Sequence, residues 1–373
     1  MSSTRLCVAV DAVGMRRASG GAVVLLELLQ ALLAYPRVEQ VVVFASGARR
    51  QFPFPAHPRL RLLERDDVDS SRLGLLSWVT RGLDHACVRA GADGLVSLNA
   101  LGSSRLPTVV LFQQQLMFAG EASRLMPATF RARLWALRRI AERVCRTASL
   151  VIAQAPHVAV SLTQQFGVSP ARIRVVMPEV HWPALGLPTA EPRLAPATLL
   201  YVGTDRPYKS LETALGALAL LRQQRPELQL AVTLPSNRAR EQVAGLRCLG
   251  SLPRHEVRAL LGQAAALLMP SLAETLGLPL LEALEVGCPI VAADLPYAHD
   301  VCAKAARYFT PRDAASCAAA CDALLSQPQL AANLAEAGRE RMRSLREGQP
   351  SRVLAEAICQ AIASAPSSAA GTP

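Results

Sequence analysis

Apolar segments of strand length alternate with segments of helical periodicity twice along the chain, and this alternation limits the fold more than any other feature. In the first half, RLCVAVDAV, QVVVFAS and PTVVLFQQQ have strand composition and VVLLELLQALLAY has helical composition. The second half repeats the pattern, with strands in ATLLYVGTD, LQLAVTLP and ALLMPS and a helix in LETALGALALLRQQ. Such alternation predicts doubly wound, mostly parallel sheets that bind ligands at the carboxyl ends of their strands.

The length of 373 residues favours two domains. A proline-rich segment without periodicity, 181–196, predicts the linker between them. We therefore expect α/β domains at 1–180 and 197–346. A C-terminal helix over 347–364 is expected to pack back on the first domain, and a tail of small residues over 365–373 is expected to be disordered.

The chain is strongly basic, with a formal net charge of +11. A basic surface suits nucleic acid, anionic lipid or phosphorylated ligands, and charge alone does not separate them. Aromatic residues make up only 4% of the chain and no RNA-binding or zinc-finger pattern occurs, so we do not expect a nucleic-acid partner.

The nine cysteines favour a reducing compartment, because they are scattered and form no C-x-x-C pair. The first residues lead directly into a strand without the apolar core of a signal peptide. No apolar run reaches the roughly 18 residues that a membrane-spanning helix needs. These features predict a cytoplasmic protein whose membrane contact, where it occurs, is peripheral.

The segment Pro270–Asp294 combines a helix start with two carboxylates. Pro279 suits the first helical position, and Gly287 suits the residue just past the helix end. The N–H groups at a helix start can hold phosphates, whereas Glu274 and Glu282 can accept hydrogen bonds from hydroxyls. The combination suggests a ligand with phosphates in the middle and hydroxyls at both ends, as in a nucleotide-sugar.

This segment resembles the donor-site signature of retaining glycosyltransferases with the GT-B fold, especially family 4. The matching residues are Ser271, Glu274, Gly277, Pro279, Glu282, Ala283, Gly287, Pro289 and Val291. The resemblance implies two Rossmann-like domains facing a cleft, and sugar transfer with retention from a nucleotide-sugar, with UDP- or GDP-sugars as expected donors. It implies no metal and no other cofactor.

The same resemblance implies roles for individual residues of the signature. Glu274 would hold donor-sugar hydroxyls and support positive charge at the anomeric carbon, and Glu282 would hold the ribose hydroxyls. The backbone donors near the helix start would hold the diphosphate; they belong to Thr275, Leu276, Gly277 and Leu278.

The segment Leu200–Leu218 resembles the second family motif, in which a glycine turn and a lysine contact the donor phosphates. Lys209 matches that lysine, and Gly203 and Thr204 form the turn. The companion arginine of the family follows the glycine at once or nearly so, whereas Thr204 stands there and Arg206 lies two residues on. Whether Arg206 replaces it stays open.

The segment GSLPRHEVRALLGQA resembles the family loop that lies under the nucleobase and reads it largely through backbone groups. Leu252 and Pro253 are the corresponding candidates.

Four residues of the first half are candidates for the acceptor or phosphate loop. Gly20 and Gly21 lie where the family has a glycine-rich loop between the first strand and first helix. Asn99 and Gln114 follow two later strands, and the family often carries a histidine at the strand end where Gln114 stands here. Glutamine cannot act as a general base, so only hydrogen bonding to sugar hydroxyls is expected, and a plain strand end fits Asn99 and Gln114 as well.

The helix Arg131–Arg146 mixes arginines with Leu, Trp and Ile. Basic amphipathic helices of this kind can lie on anionic membranes, but a solvated helix with outward arginines explains the pattern equally well.

No metal site is expected. Asp67 and Asp69 form a D-x-D, which binds metal in the GT-A class, but the repeated α/β halves do not fit that class and we assign a loop. The histidines are dispersed without ligand spacing.

The expected activity is therefore sugar transfer to a hydroxyl acceptor, in bacterial surface polysaccharide synthesis such as that of an O-antigen or capsule, with a glycan or lipid-linked acceptor. Two alternatives remain open at this point. One is an inactive scaffold of the same fold that binds nucleotide or assembles with other proteins, and the other is a nucleotide-sugar epimerase.

Overall fold

The computed structural model describes residues 5–13, 20–45, 54–65, 68, 77–78, 82–98, 102, 105–179, 194–195 and 197–365. The chain divides into two compact units. The first contains Met1–Gln114, Ala132–Val180 and Gly348–Pro373, and the second contains Gln115–Arg131 and His181–Glu347. The predicted linker falls largely outside the described residues, as do Asn99, the D-x-D and most of the predicted tail.

The first unit is built on a seven-stranded sheet in the order β3-β2-β1-β4-β5-β6-β7, and every neighbouring pair is parallel. The strands are β1 (Leu6–Asp11), β2 (Val38–Ala45), β3 (Leu60–Glu64), β4 (Gly94–Ser97), β5 (Thr108–Phe112), β6 (Leu150–Ala153) and β7 (Ile173–Val175).

Both faces of this sheet are buried. Val8 and Val10 of β1 face one apolar core, and Ala9 between them faces another. Two covered faces explain why the central strands are continuous apolar runs. The helices of this unit are α1 (Gly20–Ala34), α2 (Leu83–Arg89), α4 (Ala128–Thr147, whose first four residues belong to the second unit), α5 (Pro156–Phe166) and α13 (Pro350–Ala363).

Helix α13 packs against α1 and completes the first of these cores with Leu354, Ile358 and Ile362. A Cβ atom added to Gly94 would lie 2.5 Å from Ile362 Cγ1, so the last helix lies directly on β4. The C-terminal helix is therefore an integral layer of the first unit.

The second unit has a six-stranded sheet in the order β10-β9-β8-β11-β12-β13, again with every neighbouring pair parallel. The strands are β8 (Thr198–Tyr201), β9 (Gln229–Val232), β10 (Leu246–Cys248), β11 (Ala266–Met269), β12 (Ile290–Ala293) and β13 (Arg307–Phe309). This is the 3-2-1-4-5-6 order of a dinucleotide-binding sheet, and the direction of winding reverses between β8 and β11.

The helices of the second unit connect these strands. They are α3 (Gly120–Arg124), α6 (Leu211–Leu221), α7 (Arg238–Glu241), α8 (Arg254–Leu261), α9 (Leu278–Val286), α10 (Pro296–Cys302), α11 (Ala314–Ser326) and α12 (Pro328–Glu347). Both units are doubly wound parallel α/β domains, which confirms the predicted fold class.

The sequence prediction placed the segment Gln115–Arg131 in the first domain, whereas in the structure it belongs to the second unit. It is grouped with the second unit because the Gln115 N–H donates to Thr275 Oγ1 at 3.3 Å and the Phe130 ring lies under the Arg206 guanidinium. Contacts between residues so distant in sequence leave no signal in local composition.

Candidate active site

Two loops of the second unit leave neighbouring strands at the point where the winding reverses. Strands β8 and β11 are paired directly, so the loops after Tyr201 and Met269 start side by side at the carboxyl edge of the sheet. Ligands of open α/β sheets bind at this position. The loop after β8 belongs to the motif segment Leu200–Leu218, and the loop after β11 belongs to the motif segment Pro270–Asp294.

The loop after β8 brings Gly203 close to the side chain of Tyr201. A Cβ atom there would lie 3.1 Å from the Tyr201 hydroxyl and 3.2 Å from its ring. The Gly203 N–H donates to Thr233 Oγ1 at 3.1 Å, and the Tyr201 hydroxyl donates to the Thr204 carbonyl at 3.2 Å. These contacts hold the turn against the sheet and leave Thr204 exposed.

Arg206 lies further along this loop with an exposed side chain. Its guanidinium carbon is 5.8 Å from the centroid of the Phe130 ring, within the range of a cation–π contact. The aromatic ring comes from the segment Gln115–Arg131, which the sequence motif did not include.

Lys209 and Glu274 form an ion pair that joins the two loops. Lys209 Nζ lies 2.5 Å from Glu274 Oε1, and the two side chains are only 16% and 13% exposed. Burial acts to lower the pKa of Lys209, but the charge and hydrogen bond of Glu274 outweigh it, so the pKa lies above its usual value. Lys209 is therefore held as a cation, and its ammonium has further donors beyond the one that Glu274 uses.

Several hydrogen bonds fix the loop after β11. The Leu272 N–H donates to the Tyr208 carbonyl at 2.8 Å, and the hydroxyl of the buried Tyr297 donates to the Ser271 carbonyl at 2.8 Å. Thr275 accepts from Gln115 as described above. Hydrogen bonds thus hold two backbone groups of the loop and the side chain of Thr275.

Helix α9 starts directly after this loop. Gly277 precedes it with φ of 72°, and Gly287 ends it with φ of 73°, both in the left-handed region that favours glycine. Pro279 stands at the second helical position, one residue later than predicted, because Leu278 already has helical geometry. The first N–H groups of a helix have no partners within it, so Leu276–Leu278 mark a potential anion site.

Glu282 lies one turn into α9 and is only 4% exposed. Its Oε1 atom accepts two hydrogen bonds from Arg254, from Nη2 at 2.8 Å and from Nε at 3.1 Å. Burial raises the pKa of Glu282, although the Arg254 charge and hydrogen bonds act against this. Sequence reasoning missed Arg254, whose only signal is its place after Leu252 and Pro253, at the start of α8.

Three candidates of the first half lie within the described residues, at the corresponding edge of the other sheet. Gly20 and Gly21 begin α1, after β1, and Gln114 is exposed just past β5. A further acidic group was not predicted: Asp11, at the end of β1, is fully buried and its Oδ1 accepts from Val13 N–H and Trp78 Nε1. Burial raises the pKa of Asp11 to about 7.

Residues 190–341, which contain both loops, match the family model of glycosyl transferases group 1. The matched part runs from β8 into α12 and hence includes Lys209, Arg254, Glu274 and Glu282.

Two curated relatives illustrate how this chain is related to proteins of known activity. It is 31% identical to a glycogen synthase of Mycobacterium tuberculosis over 197 residues, covering 49% of this chain and 47% of that one. It is 30% identical to the MMP alpha-(1->4)-mannosyltransferase of Mycolicibacterium hassiacum over 216 residues, covering 54% and 51%. The chain therefore spans about half the length of the curated relatives it matches.

Three solved structures share the fold of this chain. The sucrose-phosphate synthase of Thermosynechococcus elongatus superposes with a TM-score of 0.75 at 19% identity, covering 97% of this chain and 100% of that one. WaaG, a glycosyltransferase involved in lipopolysaccharide biosynthesis, gives 0.71 at 18% identity over 96% and 100%. Anabaena HepE in complex with UDP-glucose gives 0.68 at 16% identity over 95% and 100%. These likenesses establish the GT-B fold.

Helix α4, which contains the basic segment, is exposed over much of its length. Trp135 is 67% exposed, and Leu137 and Ile140 are about 40% exposed. Arg138 is tied to Gln165 and to the Phe166 ring, whereas Arg139 and Arg143 lie on the exposed surface. In the part of the chain that the structure describes, no helix is both long enough and apolar enough to cross a bilayer.

Proposed function

We propose that the chain is a retaining, metal-independent glycosyltransferase of family 4, which moves a sugar from a nucleoside diphosphate to a hydroxyl acceptor. The observation that carries the proposal is the buried Lys209–Glu274 pair, placed between two loops at the sheet edge and beside the start of α9. A fixed cation, a helix N-terminus and carboxylates together suit a ligand with phosphates and hydroxyls. The names of the relatives support this class of reaction.

Each residue of the site has a part in the proposed reaction. Lys209, with Arg206, stabilises the negative charge on the departing diphosphate, and the amides of Thr275 to Leu278 assist. Glu274 orients donor-sugar hydroxyls and supports positive charge at the anomeric carbon. The leaving phosphate accepts the proton of the attacking hydroxyl on the same face of the sugar, which retains the configuration.

The remaining candidates bind the two ends of the substrates. Glu282 accepts hydrogen bonds from the ribose. The nucleobase lies on the backbone of Leu252 and Pro253, and the turn at Gly203 and Thr204 lies against the diphosphate. On the acceptor side we place the four first-half candidates, which are Gly20, Gly21, Asn99 and Gln114.

A UDP- or GDP-sugar is the proposed donor, and a glycan or lipid-linked intermediate of a bacterial surface polysaccharide is the proposed acceptor. The solved structure of HepE contains UDP-glucose, and WaaG is described as acting in lipopolysaccharide biosynthesis. Both proteins share the fold at low identity, so these substrates are proposals for this chain. The site of action would be the cytoplasm, with peripheral contact at the inner membrane face.

Calorimetric titration with UDP, GDP and ADP tests the proposal. We expect one nucleotide to bind tightly and Glu282→Ala to lose most of that affinity. A binding nucleotide then defines which donor sugars to assay for transfer or slow hydrolysis. Failure of all three nucleotides to bind, with or without candidate acceptors, would overturn the proposal.

The exposed face of α4 predicts that the protein binds anionic membranes. Sedimentation with vesicles that contain phosphatidylglycerol should retain the wild type, and a Trp135→Ser variant should bind about tenfold more weakly, because a buried aromatic side chain is worth roughly 1.5–3 kcal/mol. Leu220→Ser on α6 is a matched surface control, since that apolar side chain is 40% exposed and the change leaves the net charge unaltered. Equal binding of wild type and Trp135→Ser would contradict the prediction.

Because the Phe130 ring contacts Arg206, we expect its removal to lower activity with the donor slightly. In Phe130→Ala the guanidinium loses its aromatic support, and kcat/KM for the donor should fall about two- to fivefold, in line with a cation–π contact of about 0.5–1 kcal/mol. Phe130→Tyr keeps the ring and should behave as wild type. An unchanged kcat/KM in Phe130→Ala would show that Arg206 does not act from this position.

A further inference from the structure

Arg254 and Glu282 form an ion pair in which every observed bond ends on one oxygen atom. Arg254 Nη2 and Nε lie 2.8 Å and 3.1 Å from Glu282 Oε1. A carboxylate has about four acceptor positions on its two oxygens, and neither of these two bonds uses Oε2. The contact therefore anchors the Oε1 atom of the carboxylate and leaves acceptor capacity for a ligand.

Glu282 needs such a partner because it is almost fully buried. An isolated carboxylate in this position favours its protonated form, and burial does raise the pKa of Glu282. A protonated carboxyl group loses part of its capacity to accept hydrogen bonds from two neighbouring hydroxyls. The guanidinium opposes the effect of burial, and its planar fork holds the carboxylate in one orientation.

The place of Arg254 along the chain is unfavourable for the helix itself. It is the first residue of α8, where the positive end of the helix dipole favours acidic side chains. A basic residue at this point is therefore not explained by helix stability. Its contact with Glu282 and its position directly after the Leu252–Pro253 loop offer a functional explanation.

We propose that Arg254 is a positioning residue that orients Glu282 toward the ribose hydroxyls and so gives the site its preference for ribonucleotides over 2′-deoxynucleotides. This inference rests on the proposed function, in which Glu282 receives the ribose. Arg254 acts through Glu282, and its removal should weaken the contact with the 2′-hydroxyl while leaving phosphate binding in place.

Helix α9 offers a matched control on another residue. Glu285, three residues after Glu282, is paired with Arg346 of α12 at 2.6 Å, and its side chain is only 14% exposed. Arg346→Gln thus removes an arginine from a comparable pair on the same helix without touching Glu282. General damage to α9 would affect both variants, whereas loss of ribose recognition would affect only Arg254→Gln.

The experiment compares the affinity of each variant for a ribonucleotide and for its 2′-deoxy counterpart. The probes are whichever of UDP, GDP and ADP binds the wild type, and the matching 2′-deoxynucleoside diphosphate. We expect the wild type and Arg346→Gln to prefer the ribonucleotide about tenfold or more, as for hydrogen bonds to a charged acceptor. In Arg254→Gln the preference should fall to roughly twofold, with the affinity for the deoxynucleotide nearly unchanged.

A second variant separates charge from geometry and guards against a folding defect. Arg254→Lys keeps the positive charge but loses the planar fork, so it should retain an intermediate preference. Because the preference is a ratio measured on the same folded sample, partial destabilisation does not mimic the expected result.

Two outcomes would overturn the inference, and they are distinguishable. If the wild type prefers the ribonucleotide and Arg254→Gln keeps that preference, Arg254 does not position Glu282, although the proposed function stands. If no nucleotide binds the wild type, the proposed function fails and the inference fails with it.

Discussion

Replacing Lys209 by methionine should lower kcat for donor turnover by at least about a hundredfold, comparable with the loss of a donor that stabilises a developing negative charge. The variant removes the cation that faces the proposed leaving group. It also breaks the ion pair with Glu274, whose side chain is only 13% exposed. Breaking a buried ion pair by removing one member costs about 3–5 kcal/mol, so the free energy of unfolding should fall as well. Release of nucleoside diphosphate and thermal unfolding measure the two effects.

A double variant separates the catalytic effect from the effect on folding. In Lys209→Met with Glu274→Gln both charges are gone, and much of the lost stability should return because no unpaired charge remains. Turnover should stay at the level of the single variant. Wild-type turnover in either variant would remove Lys209 from the proposed mechanism.

Glu282→Ala should weaken nucleotide binding by about ten- to a hundredfold, since hydrogen bonds to a charged group contribute about 1.5–3 kcal/mol. Its effect on folding should be smaller than that of Lys209→Met, because the Arg254 side chain left behind is 37% exposed and water can solvate it. Calorimetry with the nucleotide that binds the wild type measures the change.

Glu274→Ala is the natural comparison for Glu282→Ala. It should bind nucleotide nearly as well as the wild type and lose most of its turnover, because Glu274 is assigned to the sugar and not to the ribose. Equal turnover by Glu274→Ala and the wild type would contradict the assignment of Glu274. Unchanged nucleotide affinity in Glu282→Ala would contradict that of Glu282.

Local patterns were sufficient to predict the backbone around the candidate site. Gly287 ends α9 as predicted, with a φ of 73° in the left-handed region that favours glycine. Gly277 precedes the helix with a φ of 72°, but the sequence analysis placed the helix start at Pro279 and did not predict this role for Gly277. The apolar runs of β8, β11 and β12 are buried strands as predicted. Of the strands that were not predicted, β10 and β13 are only three residues long and lie at the edges of the second sheet. Edge strands are less buried than central ones, so they need fewer apolar residues and give a weaker pattern in the sequence.

The pairing of side chains within the site could not be read from the sequence. The motif assigned separate ligands to Lys209 and Glu274, whereas the fold brings these residues, 65 positions apart, into direct contact. Arg254 reaches Glu282 across 28 positions, and the motif that contains Arg254 assigned it no role. Such contacts depend on the packing of helices and loops at one sheet edge. The periodicity of a single sequence predicts helices and strands but not this packing.

The layer formed by α13 has a consequence for biosynthesis. A ribosome releases β1 and α1 early, but the nascent chain cannot close the core beneath them until Leu354, Ile358 and Ile362 have emerged. The second unit takes its last residues from the segment that ends at Glu347, so every part of it is available first. The half of the protein that is translated first is thus the half that completes its core last, and apolar surface exposed in such an interval makes a folding chain prone to aggregation.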